Sequence, residues 1–191
     1  EMSGVTGVDN LITRNSSADV SFTQVAEISN ITLDTLTGAP DISVQFQDSV
    51  LSGSADSLNV TIINTPMVNF NINDVSGGFV DLEDLHLNVQ NSTDTEVNVN
   101  SNLASSLERL YITGDHYIDI WDTFTNVSLI DASATTGGVE IEAADTDVTM
   151  LGGSGNDDIS KSGYGSGSIS AGAGNDYVHV ATDNNTGTNV D

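Results

Sequence analysis

Cysteine is absent from this 191-residue chain, so neither a disulfide framework nor a thiolate metal site is available to it. Basic side chains are nearly absent. Three Lys and Arg stand against 28 Asp and Glu, and the formal net charge is −25. A surface so acidic repels nucleic acid and anionic membrane faces. It also repels itself, and divalent cations would relieve that. Aromatic residues make up 5% of the chain and hydrophobic residues 37%, which is lean for a thick globule and workable for a thin stacked one. Proline occurs twice, at positions 40 and 66. No apolar run is long enough to span a bilayer. The opening EMSGVTGVDN has no basic n-region and no apolar h-region, so no secretory signal peptide is expected there. The length allows one large or two small domains.

What the chain does contain is short alternating runs of β-branched and polar residues, broken by Asn, Asp, Ser and Gly. Strands are expected at 20–25, 28–33, 42–46, 58–63, 68–72, 79–82, 85–89, 96–99, 109–112, 117–120, 127–130, 139–142 and 148–151. Alternation is clean at Val60 and Ile62, at Val68, Phe70 and Ile72, and at Leu85, Leu87 and Val89. Such strands have one wet face and one dry face. Residues 102–110 carry Leu103, Leu107 and Leu110 at helical spacing, but a loop leading into a strand is the expectation. Strand starts recur roughly every 10 residues, so a two-strand rung would take about 20. About nine rungs at roughly 4.8 Å each would make a rod of roughly 43 Å. A β-sandwich up to about residue 125 is the rival reading.

Near the carboxyl end the pattern sharpens. Residues 152–160 read GGSGNDDIS and 171–179 read AGAGNDYVH. Against the template G-G-x-G-x-D-x-U-x, the first matches every fixed position and the second departs only at Ala171. Glycine permits the φ > 0 that a carbonyl-inward turn needs. Asp157 and Asp176 supply carboxylates, hard oxygen ligands that suit Ca²⁺. Ile159 and Val178 open short strands with an apolar side chain inward. A middle copy, SGYGSGSIS at 162–170, keeps the register but has Gly167 where the carboxylate belongs. Asp157 and Asp176 stand 19 apart, two repeats plus the extra Lys161, so complete copies stack on one side and the degenerate copy faces the other.

These residues resemble the calcium-binding nonapeptide repeats of RTX proteins. The resemblance implies a right-handed parallel β-solenoid or β-roll, all-β, with calcium-binding glycine-rich turns; the alternative keeps a β-sandwich at the amino-terminal part before a short roll. It implies one Ca²⁺ site built from Gly152, Ser154, Gly155, Asp157, Gly172, Gly174 and Asp176, with Asn156, Asp145, Asp147 and Asp131 as further candidates. Asp131 either ligates metal or bonds the amides of its own turn, and the second is the expectation. Residues 126–141, NVSLIDASATTGGVEI, and 110–120, LYITGDHYIDI, resemble rungs of bacterial surface-layer (S-layer) proteins of the Caulobacter type. There an apolar strand, a D-A-S-A-x-T-G turn and a second strand run into calcium nonapeptides. The likeness covers about residues 107–180. The expected organisation is a strand-repeat region at 1–143, a calcium-binding roll at 144–183 and a polar tail at 184–191.

Catalytic patterns are missing. His86, His116 and His179 sit on separate runs with no H-E-x-x-H spacing, and no G-x-S-x-G elbow occurs. No enzyme is expected. Asp115, Asp119 and Asp122 are weaker cation candidates. Trp121 and Phe124 are expected to cap or fill the core. N-x-S/T triplets at Asn15, Asn30, Asn59, Asn91 and Asn126 fit chance in a chain so rich in Asn, Ser and Thr. Together the resemblances imply a structural, calcium-dependent, self-assembling protein of the bacterial cell surface, forming homo-oligomeric sheets or filaments. A cell-surface polysaccharide anchor would act through parts not identified. A segment of a secreted RTX-type adhesin is the alternative, and the non-catalytic tail of a secreted RTX enzyme a more distant one.

Overall fold

The computed structural model describes residues 7–27, 30–53, 55–75, 81–99, 101–144, 147–163, 166–181 and 188–190. Strands alternate between two sheets. One sheet holds β1 (Asn10–Arg14), β3 (Asn30–Asp34), β5 (Ser57–Ile63), β7 (Asp84–Gln90), β9 (Arg109–Gly114), β11 (Leu129–Asp131), β13 (Thr149–Leu151), β15 (Gly167–Ser170) and β17 (Thr188–Val190), in that order. The other holds β2 (Val20–Val25), β4 (Asp41–Phe46), β6 (Met67–Asp74), β8 (Thr95–Val99), β10 (Ile118–Phe124), β12 (Val139–Ala143), β14 (Asp158–Lys161) and β16 (Tyr177–Val180). Each strand pairs in parallel with the next but one in the chain, for example β5 with β7 and β14 with β16. This is a two-sheet parallel β-solenoid, and it excludes a sandwich over the first 125 residues, whose sheets would be antiparallel. The ladders run unbroken past residue 143, where β12 pairs with β14. Thr188–Val190, inside the expected polar tail, extends the first sheet beside β15.

Alternation explains the core. In β4, β6 and β7 every second side chain is buried, and the inward residues of both sheets form one continuous cluster running from Leu11 to Ala171. Parallel sheets usually read as unbroken apolar runs because both faces are covered. Here each sheet is covered on one face only, so the alternation survives.

Rung length is uneven. The register offset is 20 from Asn10 to Asn30, then 29 from Asn30 to Asn59, 27 from Ser57 to Asp84, and 25 from Asp84 to Arg109. It settles to 20 from Arg109 to Leu129 and 19 from Thr149 to Ser168. Longer rungs spend the extra residues at corners. One corner is the helix α1 (Ser101–Ser106), with Leu103, Ala104 and Leu107 buried. A helical turn therefore stands where a loop was expected, while Leu110 belongs to β9. Of the expected strand at 79–82, residues 79 and 80 lie outside the described residues, and Asp81 and Leu82 are not in a strand.

Side chains stitch rung to rung outside the core. Asn98 donates to Asn69 (2.8 Å), which donates to Asp41 (2.7 Å), an outward ladder of polar groups one strand apart. His86 stacks on Tyr111, ring centroids 4.5 Å apart. Arg14 pairs with Asp34, and Arg109 with Asp84, each between neighbouring strands of the ladder. At one corner Asn91 is buried, accepts from the Thr65 amide and donates to the Thr65 carbonyl and the Thr95 hydroxyl. Its carboxamide is committed to the protein interior, so the triplet at Asn91 offers no accessible glycan acceptor.

Candidate functional site

Three turns that cross from the first sheet to the second stack in a column: residues 132–138, 152–157 and 171–176. The Ser154 amide donates to the Thr135 carbonyl (3.0 Å), and the Ala173 amide to the Gly153 carbonyl (2.9 Å). The Asn175 amide donates to Asn156 Oδ1 (2.9 Å), and the Gly152 amide to the Ser170 carbonyl (2.8 Å). The two complete nonapeptides thus lie one above the other. The degenerate copy leads from β14 to β15, on the opposite side. Stacking is close enough to demand glycine. Gly174 has φ +142, and a Cβ on it would lie 2.0 Å from the Gly155 carbonyl oxygen.

The two aspartates occupy equivalent places on successive rungs. Asp157 is 2% exposed. Its Oδ1 accepts from the Val139 amide and its Oδ2 from the Gly153 amide, both at 2.8 Å. Asp176 Oδ1 in turn accepts from the Asp157 amide at 3.0 Å. Each carboxylate therefore reaches toward the preceding rung and satisfies a backbone donor there. Burial pushes the Asp157 carboxyl above its usual pKa; the two amides pull the other way, and the neighbouring Asp176 charge adds to the rise. The set is all oxygen and carries two negative charges one rung apart. That suits a hard cation such as Ca²⁺, provided the ion uses lone pairs that the amides leave free.

The further candidates divide by place. Asn156 lies in the turn column. Asp131 sits at its edge, where Oδ1 accepts from the Ser133 amide (3.0 Å) and hydroxyl (2.5 Å), so it caps its own turn. Asp147 precedes β13 on the opposite side and accepts from Ser166 (2.8 Å), away from Asp157. Asp145 lies outside the described residues. Lys161, in sequence only a one-residue spacer between repeats, is a structural residue. It holds an inward position of β14 with no exposure, and Nζ donates to the Gly163 carbonyl (2.8 Å) beneath the degenerate turn.

A second feature departs from expectation. Trp121 does not fill the core; it is 61% exposed, while Phe124 is fully buried as expected. The cause is alternation: Ile118 and Ile120 face inward, so Asp119 and Trp121 fall outward, Trp121 in register with Asn98. On the other side β10 bulges. Asp119 pairs with Glu140, but the next pairing is Thr123 with Glu142, so the β10 side carries extra residues around Trp121. Over the bulge lies a groove of about 500 Å³ lined by Trp121, Asp119, Asp122, Glu140, Glu142 and Asp158 among others. The indole N–H donates to Asp119 Oδ2 (2.6 Å), and the Tyr117 hydroxyl to Glu140 Oε2 (3.1 Å). Burial, then nearby Glu140 and Glu96, raise the Asp119 pKa, although the indole bond lowers it.

Among the described residues no three or more His, Asp or Glu side chains converge on a point as a metal cluster would, and no helix is long and apolar enough to cross a membrane. Comparison of the chain with protein-family models, curated proteins and solved structures finds no match.

Proposed function

We propose that this chain is a structural, calcium-dependent segment of a self-assembling extracellular surface protein, of the kind its nonapeptides and its 126–141 rung resemble. The observation that carries the reading is the stacked pair of glycine turns, 152–157 on 171–176, with a carboxylate from each on adjacent rungs. Asp157 and Asp176 would hold the ion, with backbone oxygens of Gly152, Ser154, Gly155, Asn156, Gly172 and Gly174 as neighbouring donors. The ion would supply charge neutralisation between rungs. Binding to the folded state alone couples calcium to folding, and extracellular modules of this kind bind with Kd of about 10⁻⁴–10⁻³ M. Calcium at that level is met outside the cell. There, copies of a chain carrying net charge −25 would approach one another only once cations screen them.

The test separates structure from metal. Asp157→Ala strands two buried amides and should cost about 2–6 kcal/mol with or without calcium. Asp176 is less buried, so Asp176→Ala is the cleaner probe. The parent should take up calcium in calorimetry and melt higher in millimolar calcium than in EGTA at matched ionic strength. Asp176→Ala should lose most of that increment. Equal calcium uptake and equal melting shifts in parent and variant would overturn the metal site. Electron microscopy with calcium and with EGTA tests assembly; calcium-bound protein that stays monomeric would sink that part. A ligand-gripping segment of an adhesin is the second reading, and the exposed Trp121 groove is what favours it.

A further inference from the structure

We propose that the groove over the β10 bulge binds a linear polyamine, its ammonium groups seated along a row of carboxylates and one methylene segment lying on the Trp121 indole. The row is set by register. Glu96 pairs with Asp119, Asp119 with Glu140, and Glu140 with Asp158, so four acids stand at one outward column on consecutive strands. Like charges directly opposite each other on neighbouring strands destabilise a sheet. Nothing cationic in the chain is placed to neutralise the whole row. Its three Lys and Arg are Arg14, paired with Asp34; Arg109, paired with Asp84; and Lys161, buried in the core. Among the described residues His179, on the next strand, lies close enough to Asp158 for its charge to be felt at one end of the row. The complement must come from outside.

Three observations choose its shape. The groove, about 500 Å³, has the size of a small-molecule site and does not need a macromolecule. The carboxylates lie in line, and among the described residues none converge in threes, which disfavours a single metal ion. Strand spacing fixes their pitch at about 4.8 Å. A trimethylene spacer holds successive nitrogens about 5 Å apart by ordinary bond lengths. Three of the row, Asp119, Glu140 and Asp158, line the groove over two spacings, about 10 Å, and match two or three amines, with Glu96 continuing the column beyond it. Trp121 adds a fixed aromatic face, since Asp119 holds its N–H, and ammonium groups and their adjoining methylenes favour such a face. This inference uses neither turn carboxylate, Asp157 nor Asp176, although Asp158 directly follows the turn at 152–157.

The chain has one tryptophan, so its fluorescence reports the groove alone. Putrescine, spermidine and spermine should each give a saturable change at 0.1 M salt, tightening about fivefold per added amine. Methylamine should give none at the same concentrations. Asp119→Asn with Glu140→Gln should weaken spermine at least tenfold, by calorimetry as well as fluorescence. Asp48→Asn with Asp81→Asn removes the same charge at exposed positions elsewhere and should leave binding unchanged; circular dichroism checks the fold of both. Trp121→Ala, read by calorimetry, should weaken binding several-fold. The proposal fails if both double variants lose affinity equally, because general charge attraction then accounts for the binding. It fails equally if calcium or a neutral oligosaccharide saturates the signal while spermine does not, or if no amine saturates it.

Discussion

Asp119 illustrates how much one outward residue can carry in this fold. It stands beside Glu96 and Glu140 in register and accepts the Trp121 N–H. Burial and those two neighbours raise its pKa above the ordinary 3.8. A carboxyl whose pKa is raised on folding stabilises the fold fully below the unfolded value; that contribution is lost as pH rises through the folded value. Ionised Asp119 thus costs stability at neutral pH. Asp119→Asn should raise the melting temperature at pH 7, and the gain should disappear as pH falls below about 3.8. Tryptophan fluorescence of the parent should titrate with a midpoint above about 3.8, and the substitution should abolish that step. A midpoint at or below that value would show that the neighbouring charges do not reach it. The row around Asp119 is open to sequence reasoning in principle. The strands TEVNV, IDIWD, VEIEA and DISK each place an acid beside an inward apolar residue or strand start, and aligning them rung on rung finds it. The bulge is not open in that way. Two-residue alternation has no signal for the extra residues of a bulge. It does place Trp121 outward, two after Asp119, and the expectation of a core aromatic rests on its size rather than on the pattern. Asp157 shows the opposite case. Its position in the nonapeptide announces a carboxylate on a glycine turn, but not that both oxygens meet backbone amides.

At the level of elements, clean alternation makes most strands legible, because one face of each sheet meets the core and the other meets water. β1 is hidden by a break in that pattern. In NLITR only Leu11 and Thr13 face inward, and Ile12, the apolar residue between them, is 57% exposed. The corners are hidden because their lengths vary and their residues pack by tertiary contact. α1 is too short to be stable by propensity and forms because Leu103, Ala104 and Leu107 are buried against the stack. Leu103→Ala should therefore cost about 2–5 kcal/mol in denaturant unfolding, as a core truncation does. A cost below about 1 kcal/mol would mean the corner is a loose appendage.

For the molecule as a whole, parallel stacking means that each rung touches chiefly its two neighbours, and among the described residues no ladder joins distant rungs. A chain of such neighbours should fail under tension as a sequence of small events. Pulled apart by its ends in a force spectrometer, the carboxyl-terminal half should release one coil at a time. Each step would free 19–21 residues, or about 65–70 Å of contour at full extension. Steps from the first half, where coils run to 29 residues, should approach about 100 Å. A single all-at-once rupture would instead reveal cooperativity that the pairing pattern does not supply. The uneven coil lengths thus become a ruler written into the backbone, by which each tearing event can be assigned to its place along the stack of coils.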